Sequence, residues 1–215
     1  MTDAHCHVAG PDASREFIIG VDFIGIHPWE ILELGSVPNE KLVEISQRLA
    51  EDASLGVGEI GLDRMKVRQI PAYMHDAFIS QLELAAYYRR PVVLHGAKCW
   101  GKVVDCCRPY SVVVPAFLFH GFSRSDGLLG DIAALNGFIS VGPAVLNDHA
   151  VNYRELVKKI PADRLLIETD RTGESAAECP SVGEIARKVA ELRGTTFEEL
   201  EAMTDRNARR FRGDS

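Results

Sequence analysis

The sequence predicts an α/β fold built from β/α units around a parallel sheet. The first observation is an alternation of short apolar runs with amphipathic stretches along the chain. The second is that several runs close on a side chain able to hold a metal or move a proton: His5 and His7, then Glu59, His95, His120 and Asp170. In a β/α barrel the C-terminal strand ends converge on one face, where ligands bind and catalysis occurs.

Taken in order, Asp3-Ala4-His5-Cys6-His7 reads as an extended strand. Alternation puts His5 and His7 on one face and Ala4 and Cys6 on the other. Gly10-Pro11 ends it, and Phe17–Ile19 and Phe23–Ile26 follow with too little between them for a full helix. Pro28 biases His27 toward extended backbone, so His27 closes the second run. Asn39 is positioned to cap a helix to about Ala53, with Leu42, Ile45 and Leu49 on one stripe. Leu55–Gly61 is the next strand, with Glu59 flanked by glycines that allow close approach of backbone or ligand. A helix over Ala72–Arg89 leads to the strand Pro91–His95, whose unbroken apolar run suits burial on both faces. A further helical stretch spans roughly Gly101–Cys107, and Ala116–His120 repeats the pattern of an apolar strand closed by histidine. Beyond it come a helix over Asp126–Leu135 ended by Gly137, a strand over Phe138–Val141, a helix over Tyr153–Lys159 and a last strand, Leu165–Asp170. Val182 to Leu192 is amphipathic, and Thr196 with Glu199 forms a capping box for the final helix, which carries Asn207.

Composition narrows the function classes. At 215 residues, 46% hydrophobic and 26% charged, the chain has ordinary globular composition and length for a sizeable core. A net charge of −7 excludes a general nucleic-acid coat protein, which needs a basic face, but not a nuclease whose cations supply local positive charge. The five cysteines include no C-x-x-C pair, which fits reduced thiols. No signal sequence and no run long enough to span a bilayer is seen, so a cytoplasmic protein with no membrane and no obligatory protein partner is expected.

Four imidazoles and two carboxylates at strand ends suit two borderline divalent cations, with the centrally placed Glu59 bridging them. Such a pair, about 3.5–4 Å apart, stabilises both the attacking and the leaving oxygen of a phosphoryl displacement. The bland alternative for Glu59 is a buried acid paired with an arginine. His75 and His149 read as surface histidines, Cys6 as packing, and Glu168, sharing parity with Asp170, as a residue that orients a neighbour.

The chain resembles the TatD family of metal-dependent hydrolases, within the amidohydrolase-like barrels. The matching stretches are DAHCH at 3–7, GIHPW at 25–29, GEIGLD at 58–63, FISQLELA at 78–85, RPVVLHG at 90–96, FHGFS at 119–123, ISVG at 139–142 and RLLIETD at 164–170, with NARRF at 207–211 like the family's ending. They run through almost the whole chain in order, which implies a single TatD-like domain over 1–215. The resemblance implies a TIM-type β/α barrel, two divalent metal ions (zinc, manganese, nickel or magnesium) and hydrolysis of phosphodiesters, commonly in DNA. By it His5, His7 and Asp170 hold one metal, His95 and His120 the other, and Glu59 both, with Asp170 and Glu59 catalytic. Two departures stand out. The stretch between His7 and Gly25 is shorter than usual, so the barrel is expected to be reduced or distorted near the N-terminus. Ala97 stands where an arginine is common, with Lys98 beside it as a candidate phosphate contact; Arg171, where a small residue is usual after Asp170, is a candidate phosphate contact or the partner of a nearby acid, and His27, in the H-P element, a candidate substrate contact or a support for the ligands. The alternatives are an amidohydrolase acting on a cyclic amide or lactone, whose relatives often bridge their metals with a modified lysine, and a metal-loaded binding module without turnover.

Overall fold

A computed structural model describes residues 1–11, 13–123, 126–174, 176 and 178–214. Three strands come first: β1 (Thr2–Cys6), β2 (Arg15–Ile18) and β3 (Phe23–Ile24). Helices α1 (Pro28–Leu34) and α2 (Asn39–Glu51) lead to β4 (Gly56–Asp63). Then α3 (Ala72–Tyr88), β5 (Val92–Ala97), α4 (Trp100–Cys107), β6 (Phe117–Phe119) and α5 (Leu129–Ala134) alternate. The chain closes with β7 (Gly137–Val141), α6 (Val151–Lys159), β8 (Leu165–Ile167), α7 (Val182–Arg193) and α8 (Phe197–Arg212).

All paired strands are parallel and neighbour one another in sequence order. Six, β3 to β8, form one sheet, and β1–β2 form a second. Two seams join them without a continuous ladder. A single bridge, Ile19 to Phe23, links β2 to β3. At the other seam the Asp170 N–H donates to the His5 carbonyl at 3.0 Å and the His7 N–H to the Arg171 carbonyl at 2.8 Å. The early β/α units are cut down as the short N-terminal stretch predicted, but what is missing is helix: no helix is found among the described residues between β1 and β2 or between β2 and β3.

Three local expectations are corrected. The sequence reading had no helix after His27, yet α1 begins at Pro28, whose fixed φ suits a first helical position. His27 itself is extended (φ −64°, ψ 144°) and is the N-cap, its Nδ1 accepting the Trp29 N–H at 3.1 Å. Asn39 is the first residue of α2 and not its cap; Pro38 holds that place and gives no side-chain hydrogen bond. The strands closing on His120 and Asp170 leave the ladder earlier than their apolar runs suggest, at Phe119 and Ile167.

Two strand irregularities aim site residues. Between Val57 and Ile60, β4 advances three residues while β5 advances two, Val92 to Leu94; the extra residue falls beside Glu59. Between Asp3 and Cys6, β1 gains one residue on β2 in the same way, beside His5. Such bulges bend a strand and re-aim a side chain. β4 and β5 also approach closely: a Cβ on Gly61, at φ +151°, would lie 2.0 Å from the His95 carbonyl oxygen.

The larger apolar cluster fills the space between strands and helices. The smaller one includes Val93, Leu118, Phe138 and Leu166, each two residues before a site-side residue on its own strand or just past its end (His95, His120, Ser140, Glu168). Beneath them Phe211 of α8 packs its ring 5.9 Å from Phe17, 5.7 Å from Phe23 and 5.9 Å from Phe138. The same helix ties down the open seam. Asn207 donates to the carbonyls of Ala162 at 2.8 Å and Leu165 at 2.9 Å, while Asp205 accepts the Thr2 N–H at 2.7 Å.

Phe211→Ala should therefore lower stability by about 3–5 kcal/mol, as expected for a large aromatic truncated in a packed interior. Urea unfolding of the two proteins measures it; a loss below about 1 kcal/mol would show that α8 does not close the barrel.

Candidate metal centre

The strand ends bring His5, His7, His27, Glu59, His95, His120 and Asp170 together. Glu59 is at the centre and is 4% exposed. Its Oε1 lies 2.7 Å from His95 Nδ1, 2.8 Å from His120 Nε2 and 3.5 Å from His27 Nε2. Its Oε2 faces the other way, 3.6 Å from Nε2 of both His5 and His7. Asp170 Oδ1 completes that side at 3.4 Å from His5 Nε2 and 3.6 Å from His7 Nε2. The His5 and His120 rings stack at 3.9 Å, so His120 touches both halves. Three overlapping groups have ligand atoms within 4.8 Å of one another: His5, His120 and Asp170; His5, His7 and Glu59; His27, Glu59 and His95.

The electrostatics follow from burying acids among imidazoles. Burial alone would raise the Glu59 pKa, but His120, His27 and His95 outweigh it and hold the carboxyl well below its usual range. Asp170 behaves alike: burial opposes ionisation, and His5 and His7 lower its pKa far more. The histidines shift in the complementary direction. Asp170 raises His7. Burial disfavours protonated His95 and His120, yet Asp63 and Glu59 raise the first, and Glu59 and Glu168 raise the second well above the ordinary value.

The residues fit a metal by an independent observation. His5 is fully buried, and neither its Nδ1 nor its Nε2 has a hydrogen-bond partner; His120 Nδ1 is likewise buried and unbonded. Leaving such atoms unsatisfied costs about 1–3 kcal/mol each. A cation among soft-to-borderline nitrogen donors and two carboxylates removes part of that cost.

The surrounding side chains hold this set in place. Asp63 Oδ2 lies 2.8 Å from His95 Nε2 and also accepts the Trp29 indole N–H at 2.8 Å. Glu168 accepts the Gly121 N–H at 2.8 Å and the Ser140 hydroxyl, and stands 3.6 Å from His120 Nδ1, the neighbour-orienting place its parity predicted. Asp3 accepts the Thr169 hydroxyl at 2.6 Å and the Thr169 N–H at 3.0 Å, which fixes the turn before Asp170. Burial pushes the Asp3 carboxyl up to about 7, against those hydrogen bonds. Asp63 and Asp3 escaped the sequence reading, although strand parity placed Asp63 with Glu59 and Asp3 with His5 and His7.

The candidate substrate contacts divide. His27 enters the cluster directly, its Nε2 also 3.4 Å from His95 Nδ1. Lys98 is exposed at φ +58° and contacts none of the site residues among those described. Arg171 is 4% exposed and its guanidinium packs on Gly10, where a Cβ would lie 1.6 Å from Nη1. Cys6 is buried with its thiol toward the Phe17 carbonyl, as packing requires. His149 is exposed, and His75 is 37% exposed at its side chain, as their surface reading anticipated. No helix among the described residues is long and apolar enough to cross a membrane.

The chain is 30% identical over 209 residues to the metal-dependent hydrolase YabD of Bacillus subtilis (strain 168), covering 92% of this chain and 81% of that one. It is 30% identical over 202 residues to the 3'-5' ssDNA/RNA exonuclease TatD of Klebsiella pneumoniae (strain 342), covering 88% and 75%. The crystal structure of YjjV, a TatD homologue from Escherichia coli k12, superposes with a TM-score of 0.82 at 22% identity, covering 98% of this chain and 96% of that one, which shows the same fold. Residues 13–213 match the model of the TatD-related DNase family, and the chain belongs to that family.

Proposed function

We propose that the chain hydrolyses phosphodiester bonds at frayed or single-stranded nucleic-acid ends, using two divalent cations. The observation that supports this most is the division of one buried carboxylate between two imidazole groups: Glu59 Oε1 to His95 and His120, Oε2 to His5 and His7. A bridging glutamate, where many amidohydrolases place a modified lysine, favours the phosphodiester reading over a cyclic amide or lactone. The exonuclease relatives point the same way. In this reading His5, His7 and Asp170 hold one cation, His95 and His120 the other, and Glu59 both. When bound, the cations bring a water to a pKa of about 7 and neutralise charge at the reacting phosphoryl group.

The chain's own groups supply the rest. Asp170, with 47% of its side chain exposed beside an open cleft, is placed to accept a proton from the attacking water. His27 accepts the Trp29 N–H at Nδ1, so in its neutral form the proton sits on Nε2, which points at the cluster. That makes His27 a hydrogen-bond donor to a substrate oxygen and not a third nitrogen ligand. With a net charge of −7, the protein cannot hold long duplex by counterion release, so binding is local to the centre.

Protein reconstituted with zinc or manganese should contain two equivalents of metal per chain by elemental analysis; one equivalent or fewer contradicts the two-metal reading. A substrate panel of single-stranded DNA, abasic duplex, small phosphodiesters and cyclic amides tests the reaction. Turnover of cyclic amides with no phosphodiester cleaved assigns the protein to the amidohydrolase class, and no turnover at all to the binding module.

Asp170→Asn should keep at least one equivalent of metal and lose about 10²–10⁴ in rate, the usual worth of general-base catalysis. His5→Ala should instead weaken metal binding, with activity partly restored by added metal. Wild-type turnover by fully metallated Asp170→Asn would remove Asp170 from the proton-transfer role.

A further inference from the structure

Trp29 stands at the lip of the metal centre with 41% of its surface exposed. Its indole N–H is anchored on Asp63, and its ring meets those of His27 at 5.3 Å and His95 at 6.5 Å in edge-to-face fashion. The Lys66 ammonium lies 4.0 Å from the ring centroid. Lys66 belongs to the segment Arg64-Met65-Lys66-Val67-Arg68 that follows β4, three cations in five residues of an acidic chain. All three are exposed, as is Met65, and among the described residues none of the three is paired with a carboxylate. The cleft that Asp170 lines differs. It is bordered by Asp126, Glu155 and Glu178; Asp126 is paired with Lys159 at 2.7 Å and Glu155 with Lys158 at 2.6 Å, so no unpaired cation is offered there among these residues. The unpaired cations beside Trp29 therefore offer a polyanion a charge complement that this cleft does not.

We propose that Trp29 is a stacking platform for a nucleobase of a single strand, and that Arg64, Lys66 and Arg68 hold the backbone leading into the metal centre. This rests on the phosphodiesterase reading above. An exposed aromatic interleaved with cations is how single strands are held without reading sequence, because every base has a π-face. Lys66 is a removable cover: its flexible ammonium exchanges the indole face for a phosphate when a base arrives. The platform selects strands with an unstacked base next to the scissile bond, so paired ends and abasic ends are poor substrates.

Two measurements on the full chain test this. The chain has two tryptophans, and Trp100 is only 6% exposed, so fluorescence quenching by added ligand reports on Trp29. At low salt an oligothymidylate should quench saturably, with an abasic oligonucleotide of the same length binding about tenfold more weakly. Trp29→Phe should abolish the quenching, since Trp100 does not see the strand. Equal quenching by both oligonucleotides, or none by either, overturns the platform.

The second measurement is the ratio of kcat/KM for base-bearing over abasic ends. It should fall about tenfold in Trp29→Ala and stay within about twofold of wild type in Trp29→Phe, which keeps the aromatic face but loses the Asp63 hydrogen bond. Equal losses on both substrates in Trp29→Ala would reduce Trp29 to a support for Asp63 and overturn the proposal. If no phosphodiester is cleaved, the functional reading fails, and the quenching still decides for or against base stacking.

Discussion

The fold is organised around one expensive group, the buried carboxylate of Glu59. An ionised carboxylate without partners is tolerated in a protein interior only by taking up a proton. Glu59 instead stays ionised because imidazoles reach it from both sides: His95, His120 and His27 at Oε1, His5 and His7 at Oε2. Those side chains come from β1, β5 and the segments just after β1, β3 and β6. No two neighbouring strands supply them alone, so a near-complete ring of strands is required to assemble them.

No regular ladder joins β8 to β1, and that seam carries His5, His7 and Asp170. Other contacts stand in for the ladder. Asp3 bonds both the N–H and hydroxyl of Thr169, the Asp170 N–H donates to His5, and α8 grips Thr2 through Asp205 and Leu165 through Asn207. The last helix thus holds the strand that carries His5, through contacts separated by some two hundred residues in sequence. It also explains why NARRF at 207–211 resembles the family's ending: Asn207 and Phe211 both bear on the barrel.

Much of this was legible in the sequence because parallel strands bury both faces and so read as unbroken apolar runs. Pro91–His95, Ala116–His120 and Leu165–Asp170 announce themselves, and the polar residue ending each run is where the chain meets the centre. The capping boxes at Ser181 and Thr196 are local hydrogen bonds, and that at Thr196 was read from spacing alone. What stayed hidden depends on contacts distant in sequence. The burial of Arg171 against Gly10, far away along the chain, carries no local signal. Asn39 looked like a cap because propensity ignores the backbone, which starts α2 one residue earlier. α1 was missed because Gly25-Ile26-His27-Pro28 signals only an ending, whereas Pro28 both ends the extended segment and begins the helix.

The role of Trp29 follows from the same coupling of local and distant structure. His27 caps α1 through its own side chain, and that cap sets where Trp29 projects. Asp63, four residues beyond Glu59 on β4, then holds the indole N–H with the same carboxylate oxygen that meets His95 Nε2. One side chain therefore orients a metal-ligand candidate and an exposed aromatic. Because both contacts share Asp63 Oδ2, the distance between the platform and the centre is fixed by covalent geometry and two hydrogen bonds, not by a loop free to adjust. A base resting on Trp29 would place its neighbouring phosphate at a set reach from Glu59 and Asp170. Orientation of this kind lowers a barrier before any proton moves, since the entropy of positioning has been lost on binding.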